Sequence, residues 1–486
     1  MIITSRAKWA QCGGQMTDLY RCLGICATIR IDMCQDRWYK KPNGGDLVAQ
    51  KALIEPLGIE WVPPGKRHGT PSQLFSLWFS ANLGMPAWLV GVLGPILGLD
   101  LIQTIIAIVL GNIIASLLVG LTAKTGCGQG LAQLPLSRSI FGRRGNYLPA
   151  FLNTLSAIGW YTVNTAVGGE ALAHLFDWPL GLGLLIVAVG QIVLGYLGYD
   201  VIHRFEHIMV YVQGLLFVLM SYEAVSHLSY LPHAHAGSYG MFLLELAAVV
   251  SYSFSWAPYA SDYGRYLPEN TRPRQVFWST FWGTFTGTIW VELVGGVVGA
   301  LGWGNLSPVG MVQHLMGALT DFALVAIVFG TITADAVNGY TATLSFLTLD
   351  IPLHRTYAAV VLGMLGWLLA WMANAHFLAD YENFLLLLSY WVAPWIGIVL
   401  VADGFGIINK DQALRASGVN WAAVSAFIIG VLAVIPFMST TWFEGPVAKI
   451  LDNGDTGYYI GILVGSVAYR LLLRIKRRRM SSQALS

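Results

Sequence analysis

Charged side chains are scarce in this chain. Of its 486 residues, 11% are Asp, Glu, Lys or Arg and 55% are hydrophobic, and the mean hydropathy is +0.60. Because soluble domains carry about 25% charged residues, this composition excludes an ordinary soluble protein and indicates a polytopic membrane protein. The net charge of +2 gives no sign of a nucleic-acid partner.

Cysteine is also rare, and it is unevenly placed. Four of the five cysteines (Cys12, Cys22, Cys26 and Cys34) lie in the first 50 residues, and only Cys127 follows. Their spacings of 10, 4 and 8 residues lack the paired short knuckles of zinc sites. We therefore expect no metal site there, and no cofactor is predicted.

A set of catalytic groups is missing as well. A membrane enzyme needs a nucleophile with its base, or a metal cluster, at one depth in the membrane, and no such convergence is visible. The chain also lacks a repeated pore motif, which argues against a channel. No obligate protein partner is inferred.

The first 65 residues are polar and have no sustained hydrophobic period. No apolar stretch of adequate length follows Met1, which argues against a signal peptide. We expect a disordered cytoplasmic tail. The alternative is a start of translation further along, at Met33 or later.

From Pro71 onward, apolar segments follow one another, each long enough to cross a membrane, which takes about 20 residues. A transporter domain is predicted over residues 66–475 and a basic tail over 476–486. The twelve predicted spans are 71–97, 99–122, 146–174, 179–198, 205–228, 238–266, 275–302, 319–348, 356–374, 383–404, 418–438 and 456–474.

The positive charges of the loops alternate along these spans. The loops after odd-numbered spans hold one basic residue, Lys449. Under the positive-inside rule, both termini are therefore predicted to lie on the cytoplasmic side of a cell membrane. The basic residues on the cytoplasmic side are Lys66, Arg67, Lys124, Arg138, Arg143, Arg144, Arg204, Arg265, Arg272, Arg274, Arg355, Lys410, Arg415 and the run 476–479.

Two spans carry residues that weaken a continuous helix. Lipid offers the backbone no hydrogen-bond partners, so a broken helix at membrane depth is tolerated only inside protein or beside a water-filled cavity. We expect Pro86 to remove an intrahelical hydrogen bond and Gly84 to permit an unwound turn. The weakening residues are Ser80, Asn82, Gly84 and Pro86 in the first span and Ser251, Ser253, Ser255 and Pro258 in the sixth.

The third span places an aromatic ring and an amide together. Trp160 and Asn164 stand at positions i and i+4, on one helix face. An aromatic plane beside an amide suits a flat ligand that forms hydrogen bonds along its edge. A packing tryptophan and an interhelical asparagine bond are the structural alternative.

The eighth span is polar in the stretch 330–345. Thr331 and Thr333 offer hydroxyls to a small alkali cation, although such hydroxyls commonly bond to the preceding helical turn. Asp335 is a carboxylate at membrane depth, where it needs a cation, a base or a proton. Glu170 and Glu292 are isolated, and we interpret them as structural or as facing an aqueous vestibule.

The interrupted first and sixth spans stand five apart in the order of spans, as do the polar third and eighth. A pair of interrupted segments in corresponding halves is typical of an inverted-repeat transporter with its site at the bilayer midplane. The repeats are predicted over 71–228 and 238–404, and two extra helices over 418–474.

Several stretches resemble the nucleobase:cation symporter-1 family, in particular its purine–cytosine permease-like branch. The resemblance runs from Gly69 to the end of the twelfth span. The similar motifs are LWFSANL in the first span, SRSIFGRRGN after the second, WAPYASDYGRYLP in the sixth, VNGYT in the eighth, and ENFLLLLSYWVAPWIGIVLVADGF from residue 382.

The resemblance implies an all-α polytopic fold of the leucine-transporter type and a substrate site. Trp160 is similar to the family's stacking aromatic, and Asn164 stands where the family commonly has glutamine. Asn338 matches an amide that faces the ligand. In the sixth span the second stacking ring is Phe254 or Trp256, and Ser253 and Ser255 are candidate polar contacts.

The resemblance also implies a cation site. It would use backbone carbonyls near Ala81, Gly84 and Phe329 and the hydroxyl of Thr333. This chain has Ala334 where some sodium-coupled members have asparagine, so coupling to a proton through Asp335 stays open beside coupling to sodium.

The sequence thus predicts a symporter that imports a flat heterocycle, such as cytosine, a purine, a hydantoin or allantoin, together with a cation. Alternating access would rock one helix bundle against the rest. An amino-acid symporter of the same fold is the alternative; it would need unwound backbone for a carboxylate and an amine.

Overall fold

The computed structural model describes residues 58–197, 199–232, 236–351, 355–373 and 377–483. These residues form α-helices joined by short 3₁₀ turns and loops, which confirms the predicted all-α fold class. The predicted tail up to residue 57 and the four N-terminal cysteines lie outside this part of the chain.

The described residues form seventeen α-helices, numbered here in chain order. They are α1 (Pro71–Ala81), α2 (Met85–Ile96), α3 (Leu101–Thr125), α4 (Gln133–Phe141), α5 (Tyr147–Phe176), α6 (Leu180–Leu197), α7 (Tyr199–Ser226), α8 (Tyr239–Phe254), α9 (Pro273–Ala300), α10 (Pro308–Met316), α11 (Thr320–Leu347), α12 (Arg355–Met372), α13 (Phe377–Gly404), α14 (Lys410–Arg415), α15 (Trp421–Val434), α16 (Pro446–Ile450) and α17 (Gly457–Gln483).

Each predicted span coincides with a long helix or with a pair of helices. Within the described ranges, seven helical segments are long and apolar enough to cross a membrane, and eight if the bent pair α1–α2 counts as one. The chain is therefore a multi-pass membrane protein, and the count of twelve spans stays a prediction.

The structure also contains short elements that the hydropathy pattern does not reveal. Helices α4 and α10 have 9 residues each, too few to register as spans. The segment 58–65, which the sequence assigned to the tail, packs against the helices: Val62 is buried and its N–H donates to the carbonyl of Gly130 at 2.9 Å.

The first predicted span consists of α1 and α2, whose axes differ by 54°. The break lies at Asn82–Gly84, and Pro86 stands in the first turn of α2. A proline in a first turn removes no intrahelical bond, so Pro86 begins a helix rather than interrupting one, contrary to our expectation. The Asn82 side chain holds the end of α1 by donating to the carbonyl of Trp78 at 2.7 Å.

The sixth predicted span is helical only as far as Phe254. Two 3₁₀ turns follow, Ala257–Tyr259 and Gly264–Tyr266, and Pro258 lies in the first of them. At the far end, the carboxylate of Asp262 accepts a bond from the backbone N–H of Gln133 at 2.8 Å. Helix α8 therefore ends inside the protein, and its continuation is anchored by side chains.

The helices pack in groups. Helices α1, α2, α3, α8 and α9 form one group, α5, α6, α11 and α12 a second, and α13, α15 and α17 a third. Small residues permit close approach within the first group: a Cβ added to Gly283 or Gly287 of α9 would lie 2.6 Å from the carbonyl oxygen of Phe75 or Phe79. Both unwound segments belong to this group.

Candidate functional site

A cavity of about 640 Å³, part of it open to solvent, lies between the first two helix groups. The residues lining it are Ser80, Ala81, Leu83, Gly84, Pro86, Trp160, Asn164, Met209, Val210, Gln213, Tyr252, Trp256, Gly330, Thr333, Ala334 and Asn338.

Two tryptophans line the cavity from different helix groups. The Trp160 ring on α5 meets Tyr252 and Phe384 edge to face, with centroid distances of 5.5 and 5.1 Å. The Trp256 ring, just beyond α8, packs edge-on against Trp78 at 5.7 Å. Edge-to-face contacts are a favoured aromatic geometry, and they hold both indoles in fixed orientations.

The indole of Trp256 also connects the two breaks. Its Nε1 donates to Oδ1 of Asn82 at 3.1 Å. The unwound segment after α8 is thus tied directly to the break between α1 and α2. A hydrogen bond at this point aligns the two non-helical segments beside the cavity.

Two amides share one carboxylate at the cavity. Nδ2 of Asn164 donates to Oδ1 of Asp335 at 2.8 Å, and Nδ2 of Asn338 donates to the same oxygen at 3.2 Å. An ionised carboxylate can only accept hydrogen bonds, so the NH₂ groups of both amides face Asp335. The amide oxygens of Asn164 and Asn338 have no partner among the described residues.

The predicted site residues of the sixth span separate into two sets. Trp256 lines the cavity, whereas Ser253, Phe254 and Ser255 do not. Tyr252, in the last turn of α8, also lines the cavity, and so does Trp256, which lies two residues beyond the end of that helix. Ser253 instead donates to Oδ1 of Asn112 at 2.9 Å.

The remaining two residues of that stretch are also turned away. Phe254 is fully buried in the core, and the hydroxyl of Ser255 donates to the carbonyl of Tyr252 at 2.6 Å. Of the two aromatics left open by the sequence, Trp256 is thus the one at the cavity.

Three of the four predicted cation-site residues, Ala81, Gly84 and Thr333, line the same cavity. The Phe329 side chain is 46% exposed on the outside of the helices. Its carbonyl oxygen, the group that the prediction concerns, accepts the hydroxyl of Thr333 at 2.7 Å. The two oxygens are therefore adjacent on α11.

Sequence reasoning missed several lining residues, chiefly Tyr252 and Gln213. Nε2 of Gln213 on α7 donates to the carbonyl of Ala326 at 2.5 Å. An amide within an apolar span was a signal that could have identified it. Tyr252 carried no comparable signal, because α8 ends between it and Trp256.

The chain matches known permeases over most of its length. A sequence profile described as permease for cytosine/purines, uracil, thiamine, allantoin matches residues 61–461. YxlA of Bacillus subtilis, which bears the name of a purine-cytosine permease, is 28% identical over 456 residues, covering 89% of this chain and 99% of that protein. The purine-cytosine permease fcyB of Emericella nidulans is 26% identical, covering 87% and 89%.

The fold is similar to that of a solved transporter. Mhp1, described as a nucleobase-cation-symport-1 family transporter in a closed conformation with bromovinylhydantoin bound, superposes with a TM-score of 0.69. The match covers 87% of this chain and 96% of Mhp1, at 18% identity. At that identity the likeness establishes the fold alone.

These matches confirm the predicted resemblance and the expectation of a transporter rather than an enzyme. The profile covers well over half of the sequence. The chain therefore belongs to the family of permeases for cytosine/purines, uracil, thiamine and allantoin.

Proposed function

We propose that this protein imports a flat nitrogen heterocycle, a nucleobase or a related ring, by cation symport with alternating access. The observation that carries the proposal is the pair of unpartnered amide oxygens, on Asn164 and Asn338, in a cavity lined by two fixed indoles. Buried acceptors without partners are costly. A ligand with N–H groups along its edge would satisfy them.

The aromatic walls limit the ligand further. A planar ring lying against Trp160 or Trp256 gains stacking energy, about 1–3 kcal/mol per base in comparable sites. Cytosine, purines, hydantoins and allantoin all present N–H donors. The family description and the names of the relatives support this class of substrate.

The proposed architecture has twelve spans. Spans one to five (71–228) and six to ten (238–404) form the inverted repeats, and the helices over 418–474 are additional. Both termini lie on the cytoplasmic side of the cell membrane. The breaks at Asn82–Gly84 and after Phe254 support the assignment of the first and sixth spans as corresponding elements.

The coupling cation has two candidate positions at the cavity. Sodium would be held by carbonyls near Ala81, Gly84 and Phe329 together with the Thr333 hydroxyl, since small alkali cations prefer oxygen ligands. A proton would be carried by Asp335, whose Oδ2 has no partner in the described part of the chain. The cation and the heterocycle are coupled if both favour one conformation.

A binding panel tests the proposal. The purified protein is heated with cytosine, adenine, uracil, hydantoin, allantoin or single amino acids, with and without sodium, and its melting temperature is recorded. We expect at least one ring to raise the melting temperature, because a ligand that binds only the folded state stabilises it. Stabilisation by amino acids alone would overturn the proposal and support the alternative symporter.

A further inference from the structure

Two glutamates lie buried outside the substrate cavity, in the first helix group. Glu245 is on α8 and Glu292 is on α9, and both side chains have 0% exposure. Neither oxygen of Glu245 has a hydrogen-bond partner among the described residues, and Oε1 of Glu292 likewise has none. Nothing assigned so far to the cavity uses these carboxyls.

Among the described residues, no positively charged side chain is paired with Glu245 or Glu292. The ionisable groups close enough to interact with the two carboxyls are each other, Glu382 of α13, and the neutral phenols of Tyr252 and Tyr381. In the described ranges neither glutamate forms an ion pair. An unpaired buried carboxylate costs several kcal/mol or more, so such a group binds a proton instead.

Glu292 is connected to the last turn of α8 by hydrogen bonds. Nδ2 of Asn112 on α3 donates to Oε2 of Glu292, and Oδ1 of the same amide accepts the hydroxyl of Ser253 at 2.9 Å. Ser253 belongs to the last turn of α8, beside the cavity residue Tyr252. The charge of Glu292 therefore acts on the point at which α8 stops being helical.

All three glutamates lie toward the same end of the helix bundle, because α9 is predicted to run in the opposite direction to α8 and α13. Glu245 is near the beginning of α8 (Tyr239–Phe254), Glu382 is near the beginning of α13, and Glu292 is in the last third of α9. In the predicted orientation this end faces outward. At 1.5 Å per residue, Glu245 lies about 9 Å along α8 from Tyr239, and Glu382 is only partly buried.

We propose that Glu245 and Glu292 form a proton-binding site, loaded from the outer side through Glu382, whose proton is symported with the heterocycle. This inference rests on the proposed function and assigns its coupling ion. The step is a simple protonation, in which a carboxylate oxygen takes up one proton from the outer medium and later releases it to the cytoplasm.

The coupling follows from the hydrogen-bond chain. A negative Glu292 holds the Asn112 amide strongly, because bonds to a charged acceptor are stronger than bonds between neutral groups. Neutralising Glu292 weakens that bond and frees the Asn112–Ser253 link. The last turn of α8 can then adjust when a ring contacts Trp256, so proton and substrate favour each other's binding.

Infrared spectroscopy of the purified protein without substrate tests the site itself. At about pH 7 we expect the C=O stretching band of a protonated carboxyl. In E245Q or E292Q the intensity of this band should fall by about the contribution of one carboxyl group. The matched control is E170Q, which removes a half-buried carboxyl near His174 on α5 and should retain the band. Absence of the band from the wild type, or a band unaffected by both substitutions, would overturn the proposal.

Transport into proteoliposomes tests the coupling, with radiolabelled cytosine as the probe. An acidic exterior should drive accumulation in the wild type and in E170Q. E245Q and E292Q should lose accumulation yet keep cytosine-for-cytosine exchange within about twofold. Accumulation by both variants at the wild-type level would contradict the assignment.

The two experiments separate the two proposals. If the wild type neither binds nor exchanges any ring, the proposed function fails, whereas the infrared result still decides whether the carboxyl pair holds a proton. Should a glutamine variant fail to fold, E245D and E292D keep the carboxyl and should shift the band. An unshifted band in both aspartate variants would contradict the site.

Discussion

Asn164 of α5 donates through Nδ2 to Oδ1 of Asp335 on α11 at 2.8 Å. Both side chains are buried, and the contact joins the two helices that pack most extensively in the second group. The nitrogen of the amide faces the carboxylate, so its oxygen is left for a ligand. The carboxylate thus determines which hydrogen-bond group the cavity presents.

Removal of the carboxylate should disorder this arrangement. In D335A, Asn164 and Asn338 lose their common acceptor. Asn164 still donates to the carbonyl of Trp160, but the buried Asn338 amide loses its bond, and a buried donor without a partner costs about 1–3 kcal/mol. We expect the affinity for a bound heterocycle to fall about tenfold or more by equilibrium binding. D321A is the matched control, since Asp321 is exposed in the first turn of α11; equal affinities in the two variants would contradict this role of Asp335.

The free oxygen of Asn338 should recognise an N–H group of the ligand. Replacement by leucine, which has a similar shape, removes that acceptor. For a ring that binds, the wild type should prefer the parent compound over its N-methylated analogue by about tenfold, the effect of about 1.4 kcal/mol. The preference should shrink in N338L, and a preference that survives unchanged would exclude Asn338 as the acceptor.

The bond from Trp256 to Asn82 should matter more for the alignment of the two breaks than for stacking. W256F keeps an aromatic ring but removes the Nε1 donor. We therefore expect the free energy of unfolding to fall by about 1 kcal/mol, seen as a lower melting temperature. The affinity for the heterocycle should change less in W256F than in W256A. W421F serves as the control because Trp421 is 69% exposed. A W256F protein as weak in binding as W256A would argue that the indole nitrogen contacts the ligand instead.

Asp350, at the end of α11, should make stability depend on pH. Its carboxylate accepts hydrogen bonds from Nη2 of Arg138 at 3.0 Å, from Nε of Arg143 at 2.7 Å and from the hydroxyl of Tyr147 at 2.7 Å. Burial alone raises the pKa of this carboxyl, but the bonds and charges of its partners outweigh burial and hold the pKa below its ordinary value. The ionised form therefore stabilises the folded protein above the unfolded pKa of about 3.9, and this stability is lost as the pH falls through the folded pKa.

The substitution D350N tests that sign. Asparagine tolerates the positive φ of 57° at this position, so the change removes mainly the charge. We expect about 1 kcal/mol lower stability at neutral pH, limited by the exposure of Arg143, and a smaller difference from the wild type as the pH is lowered. A difference that stays constant down to low pH would show that the charge is not responsible.

Much of the architecture could be predicted because it depends on composition and on helical spacing. The length of the apolar segments determined where the long helices lie, and the spacing of four between Trp160 and Asn164 placed both on the face that lines the cavity. These properties are local, so a single sequence contains them.

The register around the second break could not be predicted in the same way. The sequence left Phe254 and Trp256 as alternatives because helical spacing fixes a face only as far as the helix continues, and the end of α8 depends on its contacts with α3 and α9. Ser253 was predicted to contact substrate, yet its hydroxyl bonds to Asn112, which lies 141 residues earlier in the chain. Helix α4 was missed because its nine residues are stabilised by packing rather than by an apolar period.

The central claim is that a flat ring lies against Trp160, and the equilibrium affinity of W160A measures this most directly. The rings are those that stabilise the wild type, and W160F, which keeps an aromatic face, is the control. We expect W160A to bind about tenfold or more weakly, from the loss of about 1–3 kcal/mol of stacking, and W160F to keep most of the affinity. Wild-type affinity in W160A would contradict the account.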